Sequence, residues 1–150
     1  MEIIMGIKKI GILTSGGDAP GMNAAIRAVV RCGIYNGIEV YGVNKGFNGL
    51  IHGDIVKMDA RSVGEILQKG GTILQTARCL EFKEEEGASK GCNNAKEFGL
   101  DGMVVIGGDG SFCGARVLCN HGIPTIAMPG TIDNDINCSE YTVGYDTCLN

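Results

Sequence analysis

Tryptophan is absent from these 150 residues, proline occurs 3 times, and aromatic residues make up 5% of the chain. Long hydrophobic runs are also missing, since no segment approaches the roughly 18 apolar residues that a membrane-spanning helix needs. We therefore expect no membrane partner. Charges of both signs are scattered along the chain, and the net charge is −4. Nucleic-acid-binding domains carry a basic face instead, so we expect no nucleic-acid partner.

The cysteines argue against a metal or disulfide framework. There are 7, an odd number, and none of them forms a CxxC pair of the kind found in zinc sites. The first residues also lack the cleavage site of a secretory leader. Reduced thiols in a cytoplasmic protein are the simplest interpretation.

Glycine is the abundant residue, with 25 of 150 positions, whereas about 7% is usual. The glycines follow no G-X-Y period, and 44% of the chain is hydrophobic. This composition excludes a collagen-like chain and a disordered one. We expect a globular α/β fold in which glycine serves backbone geometry.

The hydrophobic pattern alternates between strands and helices. Strands are predicted at 8–13, at 38–43, around Ile73 and Leu74, at 102–107, over 121–128 and at the start of 141–150. Helices are predicted from Met22 to Gly37, after a cap at Asp59 or Ser62, as an exposed helix within 81–99, through 114–118 and at the end of the chain. Residues 46–54 are interpreted as a turn-rich connection. Such alternation is typical of a three-layer, open, mostly parallel sheet with helices on both faces.

Three unusual loops, at 14–23, 107–111 and 129–137, each follow a predicted strand. Because the carboxyl ends of parallel strands share one edge of the sheet, the three loops should surround one crevice. In the first loop, Gly16 and Gly17 precede a helix whose free N–H groups suit an anion. A plain tight turn remains the alternative, and the loop does not match the GxGxxG dinucleotide fingerprint.

The second loop, GGDGS, places Asp109 between glycines at the start of a helix. A magnesium–phosphate site fits this pattern, because Mg²⁺ is often held by one or two carboxylates together with phosphate oxygens and water. The alternative is an aspartate that only caps the helix.

The third loop, PGTIDNDIN, places Thr131, Asp133 and Asp135 at alternate positions. In an extended loop all three would lie on one side. Asp133 is the candidate base for an attacking hydroxyl, Thr131 would hydrogen-bond the substrate, and Asp135 would assist a metal or tune its neighbour. Asp and Asn are also ordinary turn formers. Arg78, on a further loop, would supply positive charge to a phosphoryl group, or else form a surface ion pair.

Four motifs together, ILTSGGDAPGMNAAIR, GGTILQTARC, VVIGGDGS and PGTIDNDI, resemble the N-terminal half of the bacterial-type 6-phosphofructokinases. The resemblance implies a Rossmann-like lobe and ATP-dependent, Mg²⁺-dependent phosphorylation of the 1-hydroxyl of fructose 6-phosphate in glycolysis. It also implies a homotetramer in the full-length enzyme, with ADP and phosphoenolpyruvate as effectors.

The resemblance further implies roles for individual residues. Asp109 would hold Mg²⁺, Asp133 would be the base, and Arg27 and Arg31 would bind effectors, although a solvated helix face is the alternative for the two arginines. The ATP contacts would be Gly17, Arg78, Cys79, Gly108, Asp109, Gly110 and Ser111, and the sugar-phosphate contacts would be Thr131, Ile132 and Asp133. Pyrophosphate-using relatives carry a bulkier acid in place of Gly110 and a lysine in place of Gly130, so the two glycines favour ATP.

The resemblance covers only the first half of such enzymes. We therefore expect residues 1–150 to be an N-terminal ATP-binding lobe, without the second substrate and effector lobe and without useful turnover alone. Two other classes share some of these features. An NAD kinase-like enzyme would share GGDGS without needing PGTIDND, and a non-catalytic regulatory module would bind nucleotide only.

Overall fold

The computed structural model describes residues 6–137 and 139–150, which form an α/β fold. The strands are β1 (Lys9–Thr14), β2 (Glu39–Val43), β3 (Ile55–Met58), β4 (Gly102–Gly107) and β5 (Thr125–Pro129). The α-helices are α1 (Met22–Tyr35), α2 (Gly46–His52), α3 (Glu85–Glu97), α4 (Asp109–Asn120) and α5 (Tyr145–Leu149), and a short 3-10 helix spans Glu81–Lys83. No helix among these described residues is both long and apolar enough to cross a bilayer.

The sheet has the strand order β3-β2-β1-β4-β5. β1 pairs in parallel with β2 and β4, and β4 pairs in parallel with β5, while β3 runs antiparallel to β2. The expectation of a mostly parallel open sheet is confirmed. β1, β4 and β5 are neighbours, so the loops that follow them leave the same edge.

Both faces of the sheet are covered by helices, which confirms the three layers. Neighbouring residues of β1 point to opposite faces: Leu13 joins the core that includes residues of α2, α3 and α4, while Ile12 joins the core that includes residues of α1. Both side chains are fully buried. Burial of each contributes about 1.5–3 kcal/mol, and burial on both faces explains why residues 10–13 of the strand are all apolar.

The region 46–54 departs from the sequence prediction. It forms helix α2 rather than a turn-rich connection, and β3 follows it. Phe47, Leu50 and Ile51 are all buried, and their spacing is that of one helical face. The surrounding glycines concealed this periodicity. Gly53 ends the helix with a φ of 71°, the left-handed conformation that favours glycine at this position.

Two predicted elements between residues 59 and 75 are wrong. The residues after Asp59 form turns instead of a short helix. Oδ1 of Asp59 accepts hydrogen bonds from the backbone N–H groups of Arg61 and Ser62, and Ser62 Oγ accepts the N–H of Asp59. The hydrogen bonds of a helix cap are thus present at Asp59, but no helix continues from them. Residues 73–74 also lie in a turn, not a strand.

α3 and the last predicted segment, 141–150, also differ from the prediction. α3 forms as expected within 81–99, but it is not simply exposed, since Ala88, Cys92 and Ala95 are buried in the core. The last segment forms only α5, and residues 141–144 lack the strand that was predicted before it.

Asp101 fixes the start of β1 and yields a prediction about acid stability. Its Oδ2 accepts the backbone N–H groups of Lys8 and Lys9 at 2.7 and 2.8 Å, and these bonds lower the pKa of the carboxyl. The stabilisation is present at neutral pH and is lost as the pH falls through the lowered pKa. Asp101→Asn should therefore reduce the free energy of unfolding at pH 7 but not at pH 2, as measured by urea unfolding followed by circular dichroism.

The matched control is Asp54→Asn. Asp54 is exposed and accepts one side-chain bond, from Asn44 Nδ2 at 2.9 Å, so its replacement should have a smaller effect at pH 7. An equal loss of stability for Asp101→Asn at both pH values would contradict the prediction.

Candidate phosphate-binding and catalytic site

The three loops predicted to surround a crevice do meet at the carboxyl edge of the sheet. The backbone N–H of Ser15, just after β1, donates to the carbonyl of Ile106 in β4 at 2.9 Å. The N–H of Gly130, just after β5, donates to the carbonyl of Gly107 at 3.0 Å. The bonds of the sheet are thus extended by one residue into the loops, which fixes the loops relative to one another.

The first loop exposes its glycines at the start of α1. Gly16 has a φ of +86°, a conformation that only glycine adopts without cost. Gly17 is exposed, and a Cβ added there would meet no heavy atom of the described chain within 4 Å. The backbone at Gly17 is open to a ligand, whereas α1 begins only at Met22 and residues 21–23 are buried.

The same loop is packed against the end of the described chain. A Cβ at Gly21 would clash with the backbone carbonyl of Val143, and it would lie 2.7 Å from the N of Gly144. The backbones of the two segments therefore touch directly. The N–H of Val143 also donates to the carbonyl of Pro129 at 3.0 Å, so residues 143–144 join the first loop to the third.

The second loop leaves Asp109 free to act on a ligand. The N-cap residue of α4 is Gly108, which has no side chain, and Asp109 is the first helical residue and is exposed. The interpretation of Asp109 as a helix cap is therefore wrong. Gly110 faces open space among the described residues, whereas Ser111 is buried and its N–H donates to the carbonyl of Gly108 at 3.0 Å.

The third loop brings a hydroxyl and a carboxylate together. The backbone N–H of Asp133 donates to Oγ1 of Thr131 at 3.3 Å, and Oγ1 donates to Oδ2 of Asp133 at 3.4 Å. Asp133 and Ile132 are exposed. A Cβ at Gly108 would lie 3.5 Å from Cβ of Thr131, so this pair borders the start of α4. Thr131 therefore lies beside Gly108, the residue that precedes Asp109.

The third loop is not extended throughout, which corrects the expectation of strict alternation. Asn134 has a φ of 50°, and the chain turns there, so Asp135 is exposed beyond the turn. Asn134 Oδ1 accepts the N–H of Thr142 at 2.9 Å, and its Nδ2 donates to the carbonyl of Glu140 at 3.2 Å. The hydroxyl of Thr142 donates to the carbonyl of Thr131.

Asn134 and Thr142 hold the third loop in place, and the sequence did not point to them. Asn tolerates the left-handed conformation better than most residues, and this was the only signal available at Asn134. The contact partners of both residues lie 6 to 11 positions away in the chain, which local patterns do not reveal.

The remaining candidates lie on α1 and on the segment that follows residue 69. Arg78 is exposed, and Cys79 is half-buried against the core that contains Phe47 and Phe82. Arg31 is exposed on α1, as expected, but Arg27 is half-buried and donates through Nη1 to the carbonyl of Val63. The interpretation of both arginines as an exposed pair therefore holds for Arg31 alone, and Arg27 contacts the turn near residue 63 instead of the three loops.

The donors at the site fit a magnesium ion that is shared with phosphate. Asp109 offers one exposed carboxylate beside the helix N–H groups, and Mg²⁺ binds one or two carboxylates while keeping water and phosphate oxygens. Among residues 6–137 and 139–150, no group of three or more His, Cys, Asp or Glu could hold a metal. The described residues thus suit a metal ion that is bound partly by a phosphate ligand, and they do not provide a complete set of protein ligands.

The sequence comparisons show the family of the chain. A family model described as phosphofructokinase matches residues 9–150. The ATP-dependent 6-phosphofructokinase of Halalkalibacterium halodurans is 63% identical over 144 residues, which are 96% of this chain and 45% of the relative. The corresponding Shouchella clausii protein is 62% identical with the same coverage. The chain therefore belongs to the phosphofructokinase family, and it spans about half the length of the curated relatives that it matches.

Solved structures show the same likeness. The phosphofructokinase of Saccharomyces cerevisiae superposes with a TM-score of 0.91 at 38% identity, covering 95% of this chain and 22% of that one. The Pichia pastoris phosphofructokinase in the T-state gives 0.88 at 41% identity, with 93% and 17% covered. A pyrophosphate-dependent phosphofructokinase from Nitrosospira multiformis gives 0.81 at 18% identity over 92% and 37%, which shows a shared fold.

Two glycines of the second loop should respond differently to alanine. A Cβ at Gly107 would clash with Ser111 Oγ and lie 2.5 Å from the carbonyl oxygen of Ser15, and this backbone cannot move without disturbing the first loop. Gly107→Ala should lower the free energy of unfolding by about 1–3 kcal/mol. Gly110→Ala, in open space within a helix, should raise it by about 0.4–1 kcal/mol.

Urea unfolding of the two variants beside the parent chain tests this difference, and each variant serves as the control for the other. Equal stability of Gly107→Ala and Gly110→Ala would show that the loops are not packed as described.

Proposed function

We propose that this chain is the N-terminal ATP-binding lobe of an ATP-dependent 6-phosphofructokinase. The reaction transfers the γ-phosphoryl group of ATP to the 1-hydroxyl of fructose 6-phosphate and yields fructose 1,6-bisphosphate, in cytoplasmic glycolysis. The observation that supports the proposal is that the loops bearing Asp109 and the Thr131–Asp133 pair follow the neighbouring parallel strands β4 and β5 and come together where Thr131 lies beside Gly108. The names of the most similar relatives support it.

The nucleotide phosphates would lie against bare backbone. Gly17 and Gly110 leave open space, and the N–H groups at the start of α4, near Gly108 and Ser111, would bind phosphate oxygens. Cys79 would contact the nucleotide beside Arg78. The exposed Arg78 side chain would contact the phosphoryl group in the transition state and stabilise its negative charge, which is the main requirement of phosphoryl transfer.

Asp109 would hold the Mg²⁺ that accompanies ATP. When bound, the ion would neutralise charge on the phosphate oxygens. Asp135 lies beyond the turn at Asn134, and its proposed role is to assist this metal or tune Asp133.

Asp133 would act as the general base. It would accept the proton of the 1-hydroxyl while the bond from that oxygen to the γ-phosphorus forms and the bond to the ADP oxygen breaks. The hydrogen bonds between Thr131 and Asp133 would orient the carboxylate. Ile132, 52% exposed, would contact the sugar phosphate beside them.

ATP is preferred over pyrophosphate as the donor in this proposal. The open space at Gly110 leaves room for the rest of the nucleotide, and an acidic side chain there would stand beside the phosphates. Gly130 is packed differently, because a Cβ there would lie 2.8 Å from Cγ2 of Ile106. A lysine at 130 would therefore also disturb β4.

A second lobe would supply the remaining sugar-phosphate and effector contacts. We propose that the full-length enzyme is a homotetramer in which Arg31, exposed on α1, and Arg27 bind ADP or phosphoenolpyruvate. Arg27 would bind the effector while its Nη1 still donates to the carbonyl of Val63. An effector at Arg27 would therefore also contact the 59–63 turn.

The central test is Asp133→Ser in a protein that joins residues 1–150 to the C-terminal part of the Halalkalibacterium halodurans relative, called here the joined protein. Loss of the base should lower kcat by about 10²–10⁴-fold, measured in a coupled assay with Mg²⁺-ATP and fructose 6-phosphate. Asp146→Ser, an exposed aspartate of α5, is the control and should keep the parental kcat.

Three results would contradict the proposed function. Near-parental activity of Asp133→Ser would favour an NAD kinase-like enzyme. Binding of ADP by the joined protein without any turnover would favour a regulatory module. Ordinary turnover by residues 1–150 alone would show that the second lobe is not required.

Gly110→Asp tests the choice of donor. The new carboxylate would stand near the ATP phosphates and repel them, so KM for ATP should rise by about tenfold or more, since a like-charge contact costs more than 1.4 kcal/mol where water is excluded. Gly110→Ala is the matched control and should change KM by less than threefold. An unchanged KM for Gly110→Asp would place the nucleotide elsewhere.

A further inference from the structure

The segment 69–78, which leads to Arg78, has no regular secondary structure and depends on side chains of other elements for its hydrogen bonds. Asn23, in the first turn of α1, supplies two of them. Its Nδ2 donates to the carbonyl of Lys69 at 2.9 Å, and its Oδ1 accepts the N–H of Ile73 at 2.8 Å. Asn23 is 1% exposed, so both ends of a buried amide are used on this one segment.

Thr14, the last residue of β1, holds the same segment from a second side. Its hydroxyl lies 2.9 Å from Oγ1 of Thr72 and donates to the carbonyl of Gln75 at 2.9 Å. Thr14 is fully buried. The N–H of Lys45 adds a bond to the carbonyl of Leu74 at 2.7 Å, so the first half of the segment is fixed to the corner where β1 ends and α1 begins.

The other side of Arg78 is fixed by apolar packing. Cys79 packs against the core, and Phe82 is buried and stacks on Phe47 with ring centroids 4.4 Å apart. Only Thr76, Ala77 and Arg78 lie between the two anchored parts. Three residues of fully extended chain span about 10 Å, so the position of the Arg78 backbone is restricted by the anchored parts on both sides.

The polar anchor and the phosphate-facing loop share one support. Gly16 and Gly17 follow Thr14 after Ser15, and Asn23 follows the same loop on its far side. A Cβ at Gly71 would lie 3.0 Å from Oδ2 of Asp18, so the two segments also touch. A change at Asn23 or Thr14 would thus alter where Arg78 stands relative to the first loop.

We propose that Asn23, together with Thr14, is a positioning residue for Arg78. The inference rests on the proposed function, in which Arg78 acts on the phosphoryl group. The role requires a side chain at position 23 that both donates and accepts a hydrogen bond. Aspartate can only accept, and it would place a buried carboxylate against the carbonyl of Lys69, which is unfavourable.

The test is a double-mutant cycle in the joined protein. Asn23→Asp should lower kcat by about ten- to a hundredfold and change KM for fructose 6-phosphate by less than threefold. In an Arg78→Ala background, the same substitution should lower kcat by less than twofold, since its effect passes through Arg78. The control Asn36→Asp, at the other end of α1, where Nδ2 donates to the carbonyl of Cys32 at 2.8 Å, should leave kcat unchanged.

A second pair of variants covers the case in which Asn23→Asp fails to fold. Thr14→Val keeps the side-chain shape and removes the hydroxyl, and it should lower kcat as Asn23→Asp does. Thr14→Ser keeps the hydroxyl and should retain at least half of the parental kcat. If either substitution lowers kcat by the same factor with and without Arg78, the role is merely structural and the inference is overturned.

Deuterium exchange separates this inference from the proposed function. The variants should speed exchange at the amides of residues 73–79 but not at those of β4. An inactive parental joined protein would refute the proposed function, and faster exchange would still support the anchoring of the segment. Unchanged exchange at residues 73–79 would overturn the inference whatever the activity.

Discussion

The structure depends on the parallel pairing of β1 between β2 and β4. Because Ile12 and Leu13 are fully buried on opposite faces, this central strand needs helices on both sides, and parallel neighbours then require a crossover connection after each strand. The same constraint sends the loops after β1, β4 and β5 to one edge. The candidate site is thus a consequence of sheet topology, and individual side chains only determine its chemistry.

Those parts of the fold that follow from local patterns were predictable from the sequence. β1 and β4 are continuous apolar runs bounded by loops, and they were located correctly. α2 was missed because glycines interrupt the signal from Phe47, Leu50 and Ile51. The conformation of residues 69–75 was missed for another reason: it is set by Thr14 and Asn23, whose partners lie 46 to 61 residues away in the chain.

The candidate site shows the same division. The motifs led to Asp109, Thr131 and Asp133, on loops that follow the neighbouring strands β4 and β5, and to glycines that differ in what they do. Gly16 provides a left-handed turn, Gly107 permits close packing of two loops, and Gly110 leaves space. The sequence predicted that glycine mattered but not which of these reasons applied. The turn at Asn134 was likewise hidden, because its hydrogen-bond partners Glu140 and Thr142 lie outside the motif.

The contact between Gly21 and Gly144 has a consequence for sequence change. The two backbones touch where a Cβ on either glycine would displace the other segment, so the positions act as a single constraint instead of two separate ones. Replacing one glycine cannot be compensated by altering the other, because the remaining obstacle is main chain. Evolution can therefore vary the surrounding side chains, such as Val143, more freely than either member of this pair.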